Sequence, residues 1–107
     1  GRIVASDLTA RGCRIDGPAY IGEGASIGRD AILSSSAIGR GTSIGDGSEV
    51  TGSFLMDGCS LGARCQIEGS LLGNDVVVGD DTILKDCTLG DGVRIKGGVR
   101  LEGQTLE

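Results

Sequence analysis

Residues 38–55 read IGRGTSIGDGSEVTGSFL, and the spacing of the aliphatic side chains in this stretch decides the fold. Ile38, Ile44 and Val50 stand six apart, and Leu55 follows after a step of five. An amphipathic helix needs apolar residues at i, i+3, i+4 and i+7, and a half-buried strand needs every second residue. Steps of six and five fit neither. They fit a chain that bends after each short strand.

Working outward, the same steps generate three columns. The first holds Ile3, Ile21, Ile38, Leu55, Leu72, Leu89 and Leu106; the second Thr9, Ile27, Ile44, Leu61, Val78 and Ile95; the third Ile15, Leu33, Val50, Ile67, Leu84 and Leu101. Only Thr9 breaks the aliphatic rule. From Ile21 each column recurs after two steps of six and one of five, and the first round is longer by a single position. Two residues before nearly every aliphatic position stands a small one, such as Ala25, Ala31, Ser36, Thr42, Ser48, Ser53, Ser70 or Thr82, and strand alternation turns it inward too. Glycines follow many aliphatic positions, as in IGEG at 21–24 and LGDG at 89–92. They mark corners, where a positive φ or a close turn suits Gly.

Three short strands joined by corners make a triangular coil. The register predicts an all-β, single-stranded parallel β-helix over residues 1–107, with about six coils starting near residues 3, 21, 38, 55, 72 and 89 and 17–18 residues per coil. At about 4.8 Å between stacked strands the prism is about 29 Å long. The composition agrees with so thin a core: 21 Gly, 1 Tyr, 1 Phe, no Trp and no His, with 38% hydrophobic residues.

The [LIV]-G-x-G-x-x unit resembles the hexapeptide repeat of left-handed β-helix proteins, and the left-handed coiling is implied by that resemblance. Within the superfamily, the coil with one shortened side and stretches such as IEGSLLGNDVVVGDD at 67–81 resemble the carboxy-terminal domain of sugar-nucleotide pyrophosphorylases of the mannose-1-phosphate guanylyltransferase and glucose-1-phosphate thymidylyltransferase types. This resemblance implies a structural, oligomerising or regulatory module, either homo-oligomeric or packed against a catalytic domain. No Gly-rich phosphate loop opening a helix is present, so nucleotidyl transfer is not expected of this chain alone.

Related hexapeptide-repeat acyltransferases use a His as general base, and the related carbonic anhydrases hold zinc with His. This sequence has no His, so neither mechanism maps onto a residue here. The expectation is no enzyme in this chain alone, with no catalytic, cofactor-binding or metal residues. An acyltransferase with a site between subunits is the alternative from the enzyme class. Gly1 and the closing Leu106-Glu107 also fit an excised or engineered β-helix with no activity. A net charge of -5 argues against nucleic acid and anionic membrane as partners, and with no apolar run of spanning length the expectation is a cytoplasmic protein.

Cys13, Cys59, Cys65 and Cys87 all fall on small inward positions, which reads as buried, reduced thiols behaving as small hydrophobes. Asp46, Asp57, Asp91 and the Asp80-Asp81 pair suit turns better than any metal-ligand spacing. The stacked Glu68, Lys85 and Glu102 alternate in sign on a solvated face. The outward residues before the first column are Tyr20, Ala37, Phe54, Leu71, Thr88 and Thr105, whereas those before the second are Ser26, Ser43, Ser60, Val77 and Arg94. Both aromatics thus fall on one face with Met56 close by. The expected contact surface is Tyr20, Phe54, Met56 and Leu71.

Overall fold

The computed structural model describes residues 12–107. Ile3, Thr9 and the beginning of the coil expected to start near residue 3 lie outside the described residues. In chain order the strands are β1 (Arg14–Ile21), β2 (Ser26–Ile27), β3 (Ile32–Ile38), β4 (Ser43–Ile44) and β5 (Glu49–Thr51). Then come β6 (Phe54–Leu55), β7 (Ser60–Leu61), β8 (Gln66–Glu68), β9 (Leu71–Leu72) and β10 (Val77–Val78). The series closes with β11 (Ile83–Lys85), β12 (Thr88–Leu89), β13 (Arg94–Ile95), β14 (Arg100–Glu102) and β15 (Thr105–Leu106).

All pairing is parallel and joins each coil to the next. Ile38 sits on Leu55, Leu55 on Leu72, Leu72 on Leu89 and Leu89 on Leu106, each step one coil along the prism. Ile44, Leu61, Val78 and Ile95 stack likewise, so the expected register holds. From Ile21 to Leu106 the described chain makes five turns, one fewer than the coil count expected from the whole sequence. The long axis extends 35 Å.

The prism has three walls. Wall one is the second half of β1 and of β3, then β6, β9, β12 and β15. Wall two is β2, β4, β7, β10 and β13. Wall three is the first half of β1 and of β3, then β5, β8, β11 and β14. β1 and β3 run unbroken around the corner from wall three to wall one, so these two walls form one hydrogen-bonded sheet and wall two a separate five-stranded one. The extra residue of the first round lies at that same corner. Ile15 pairs with Leu33 across the lengthened round, but Ala19 already pairs with Ser36 at the ordinary spacing, and the shift between them falls at Gly17-Pro18.

Corner chemistry follows the same period. Residues with positive φ form three edge columns: Gly24, Gly41, Gly58, Asp75 and Gly92; Asp30, Gly47, Arg64, Asp81 and Gly98; and Ser35, Gly52, Gly69, Asp86 and Gly103. The third column turns the shortened corner. At twelve of these fifteen positions the amide points along the prism axis to a carbonyl of the preceding coil, as Gly41 N–H to Glu23 O (3.0 Å) and Gly58 N–H to Arg40 O (2.8 Å). Four of the six non-glycine members are Asp, whose short polar side chain tolerates this region best after Gly and Asn. The glycine directly after an aliphatic residue answers a different need. Gly39 has an ordinary φ, but a Cβ there would lie 2.4 Å from the carbonyl carbon and oxygen of Met56. Stacking of coils, not φ, selects glycine at this position.

The aliphatic columns are buried along the described prism, with Ile27, Ile38, Val50, Leu72 and Leu84 fully enclosed. Burial loosens at the last coil, where Ile95, Leu101 and Leu106 are only partly covered. Among the small inward positions Ala19, beside the bulge, is exposed. The Ser, Thr and Cys members of that set do more than fill space. Ser48 Oγ donates to Gly62 O (2.7 Å) and accepts from Cys65 N–H (3.1 Å). Thr42 Oγ1 donates to Met56 O (2.8 Å) and accepts from Cys59 N–H (3.2 Å). Cysteine takes the same role: Cys59 Sγ donates to Gly73 O (3.0 Å) and Cys65 Sγ to Gly79 O (3.1 Å). The Val76 and Thr82 amides in turn bond to the two sulfurs. Cys59 and Cys65 are therefore hydrogen-bonding links between coils, which amends their reading as plain small hydrophobes, whereas the Cys87 thiol donates within its own coil to Lys85 O (3.3 Å).

Candidate functional site

Strand alternation turns the residue before each buried aliphatic outward, and on wall one that residue is large and apolar at three of the first four levels. Tyr20 stacks on Ala37, Ala37 on Phe54, Phe54 on Leu71 and Leu71 on Thr88, each in parallel register. Tyr20 is 61% exposed, Phe54 59%, Met56 46% and Leu71 42%. They are the large hydrophobic side chains left to solvent among the described residues, and three of the four share one column. Met56 stands at the corner after β6, in the edge column held elsewhere by Gly22, Gly39, Gly73, Gly90 and, at the last level, Glu107. The structure thus places all four sequence-predicted surface residues on one wall or its rim.

The stripe is not flat. Ala37, half-buried, is flanked by the two aromatics one strand above and one below, leaving a groove of about 360 Å³ lined by Pro18, Ala19, Tyr20, Ser35, Ser36, Ala37 and Phe54. The flanking rings are two strand spacings apart, about 9.6 Å. One further ring, needing a carbon contact distance of about 3.5–4 Å on each side, fits between them. Reading the column for hydrophobicity finds Tyr20, Phe54 and Leu71 but misses the groove, because its maker is the small residue. The available signal was the alternation of large and small side chains from one coil to the next.

The other two faces are mostly polar, with half-buried Val77 outward on wall two and half-buried Ile32 and Ile83 on wall three. Wall two presents Ser26, Ser43 and Ser60 in register, and wall three carries Lys85 stacked between Glu68 and Glu102. Along the rim of wall one, Arg40 Nη2 lies 3.6 Å from Asp57 Oδ2, one coil on.

The acidic corner residues have structural partners. Asp46, Asp57, Asp80 and Asp91 each accept a hydrogen bond through Oδ1 from a backbone amide of the preceding coil, those of Arg29, Arg40, Ala63 and Asn74, at 2.7–2.8 Å. Asp81 pairs with Arg64 at 2.8 and 3.1 Å, which holds its carboxyl below the usual range. Among the described residues no three Cys, Asp or Glu gather where they could hold a metal ion. The four cysteines are buried and unbridged. Burial raises the pKa of Cys59 and Cys65, outweighing the hydrogen bonds that favour their thiolates. No helix of the described residues is long and apolar enough to cross a membrane.

A parallel prism of three-sided coils with hexapeptide corners is the architecture of the left-handed β-helix class. The profile of one family in that class, the EIF2B subunit epsilon LbH domain, matches residues 5–103, and the chain belongs to that family. No curated protein matches the sequence. Among solved structures, a hexapeptide transferase family protein from Anaplasma phagocytophilum is similar at 26% identity and a TM-score of 0.76, over 87% of this chain and 68% of that one. A putative acetyltransferase from Bacillus cereus shares the fold at 13% identity and a TM-score of 0.51, over 89% and 77% of the two chains. GDP-perosamine N-acetyl transferase from Caulobacter crescentus does so at 19% and 0.51, over 83% of this chain but only 50% of its own length.

Proposed function

We propose that this chain is an assembly module: a β-helix that performs no chemistry of its own and joins protein subunits through wall one. The observation that carries this reading is the concentration of exposed apolar area. Tyr20, Phe54, Met56 and Leu71, the exposed large hydrophobics among the described residues, lie on one wall or its rim while the neighbouring walls are mostly polar, and a contiguous apolar face with a polar rim is the usual make-up of a protein contact surface. Membership of a β-helix domain family supports it, as does the engagement of the polar groups elsewhere. The corner carboxylates, hydroxyls and thiols described above make hydrogen bonds that brace the coils, which is a structural role in line with this reading. The parent protein we infer is a nucleotidyltransferase-like one, in the manner of the sugar-nucleotide pyrophosphorylases.

The test is light scattering on the intact chain and on Phe54→Asp combined with Leu71→Asp. Both substitutions sit on exposed outward positions, so the fold survives and its circular dichroism is unchanged. The oligomeric mass falls in the variant; an unchanged mass would refute the assignment.

One observation favours a second reading, an acyltransferase with a site between subunits: the solved structures similar to this one are transferases. That reading requires an acyl carrier to bind. Coenzyme A in large excess would then raise the melting temperature of the assembled protein, because a ligand favouring the native state stabilises it. The assembly reading expects no shift.

A further inference from the structure

Resting on the assembly reading, we infer that the partner of wall one is a second copy of this chain, docked antiparallel about a twofold axis lying along the strand direction. The wall is complementary to itself in that arrangement. Number the levels of the column from Tyr20 as zero, so that Ala37, Phe54 and Leu71 are one, two and three. A twofold axis midway between Ala37 and Phe54 sets each level against the level that brings the sum to three. Phe54 then enters the groove over the partner's Ala37, between the partner's Tyr20 and Phe54, and the partner's Phe54 does the same in return. Tyr20 covers the partner's Leu71.

The rim obeys the same sum. Met56, the one bulky side chain of its edge column among the four opposed levels, faces the partner's Gly39, which has no side chain. Arg40 faces the partner's Asp57, and Asp57 the partner's Arg40, so the two intrachain pairs merge into an alternating ring of four charges. Bulk meets gap twice and opposite charges meet twice, from one choice of axis. A parallel arrangement with like levels opposed offers none of this: Phe54 would meet Phe54, the two charged rims would lie on opposite sides of the contact, and both grooves would stay empty. The opposed apolar levels span about 19 Å of the prism, so the contact lies below the roughly 800 Å² per partner of a standard interface. The dimer is therefore a weak one, with dissociation in the micromolar range.

Two measurements decide the matter. The first is sedimentation equilibrium of Ala37→Leu. This outward substitution adds apolar surface, so a merely greasy patch would associate more tightly; filling the groove instead weakens dimerisation at least tenfold. Equal or tighter association overturns the inference. The second is the distance between spin labels attached at Thr88→Cys or Thr105→Cys, the buried native thiols staying unlabelled. In the antiparallel dimer, moving the label from 105 to 88 brings both copies one level inward and shortens the distance by about 10 Å. In a parallel assembly the distance does not change, which overturns the inference. So does a chain that stays monomeric at several hundred micromolar. A parallel assembly that Phe54→Asp with Leu71→Asp dissolves refutes only this geometry; one that those substitutions leave intact refutes the assembly reading of wall one as well.

Discussion

Gly39 and Gly41 stand two positions apart and are glycine for different reasons. At Gly39 the backbone of the next coil occupies the space a Cβ would need, whereas Gly41 has open space but a φ of +66°. Gly39→Ala forces two coils apart and is expected to cost about 2–3 kcal/mol, in the range of overpacked cores. Gly41→Ala meets only the left-handed penalty of about 1–2 kcal/mol, and Gly41→Asn recovers part of it. Thermal melts of the three variants, ranked in that order, check the assignment. The same resolution applies across a single strand. Ile44 is 3% exposed and its neighbour Ser43 faces solvent. Ile44→Asp buries an unpaired carboxylate and is expected to cost upwards of about 4 kcal/mol, while Ser43→Asp stays within about 0.5 kcal/mol. Equal losses in urea titrations would show the register of wall two to be wrong. That register was legible in the sequence because its period-two and period-six signals come from the same aliphatic residues. The separation of close-approach glycines from positive-φ glycines was not, since both read simply as Gly after a strand.

The strands here run from the two residues of β2 to the eight of β1, too short to hold their place by ladder bonds alone, and the side-chain links supply the rest. Ser53 Oγ donates to Thr51 O (2.8 Å) and accepts from Ser70 N–H (3.0 Å), so it ties β6 to β9 below. Ser53→Ala leaves the buried Ser70 amide without its acceptor and is expected to cost about 1–3 kcal/mol. Cys65→Ser keeps a donor and an acceptor in the same role and stays within about 1 kcal/mol. Chemical denaturation of the pair distinguishes a hydrogen-bonding column from one chosen only for small volume, which would tolerate both changes alike. The sequence identified these positions as small and inward. It did not reveal the link, because Ser, Thr, Cys and Ala are alike in size and the partner amide lies a full coil away.

At the scale of the molecule, the ionisable groups set a pH range. Burial raises the pKa of Cys59 and Cys65. In the unfolded chain thiols ionise near about pH 8.5, so there the unfolded state releases protons that the folded state keeps. The stability they contribute is complete below that pH and is lost as pH rises through the alkaline range. Asp81, held below its usual range by Arg64, acts in the opposite sense: its contribution is present above about pH 4 and fades as pH falls further. Urea midpoints between about pH 7 and 10 are expected to decline, and Cys59→Ser with Cys65→Ser to flatten the decline. The polarity of the three walls was readable from the sequence because stacking preserves column identity. The groove and the charged rim were not, because they arise between coils.

Because every coil holds on only to the one before and the one after, tension applied along the prism from its carboxy-terminal end loads one coil at a time. The fold then unreels like cord from a spool. Each release frees a single winding, a lengthening of about 50–55 Å, and leaves the remainder seated.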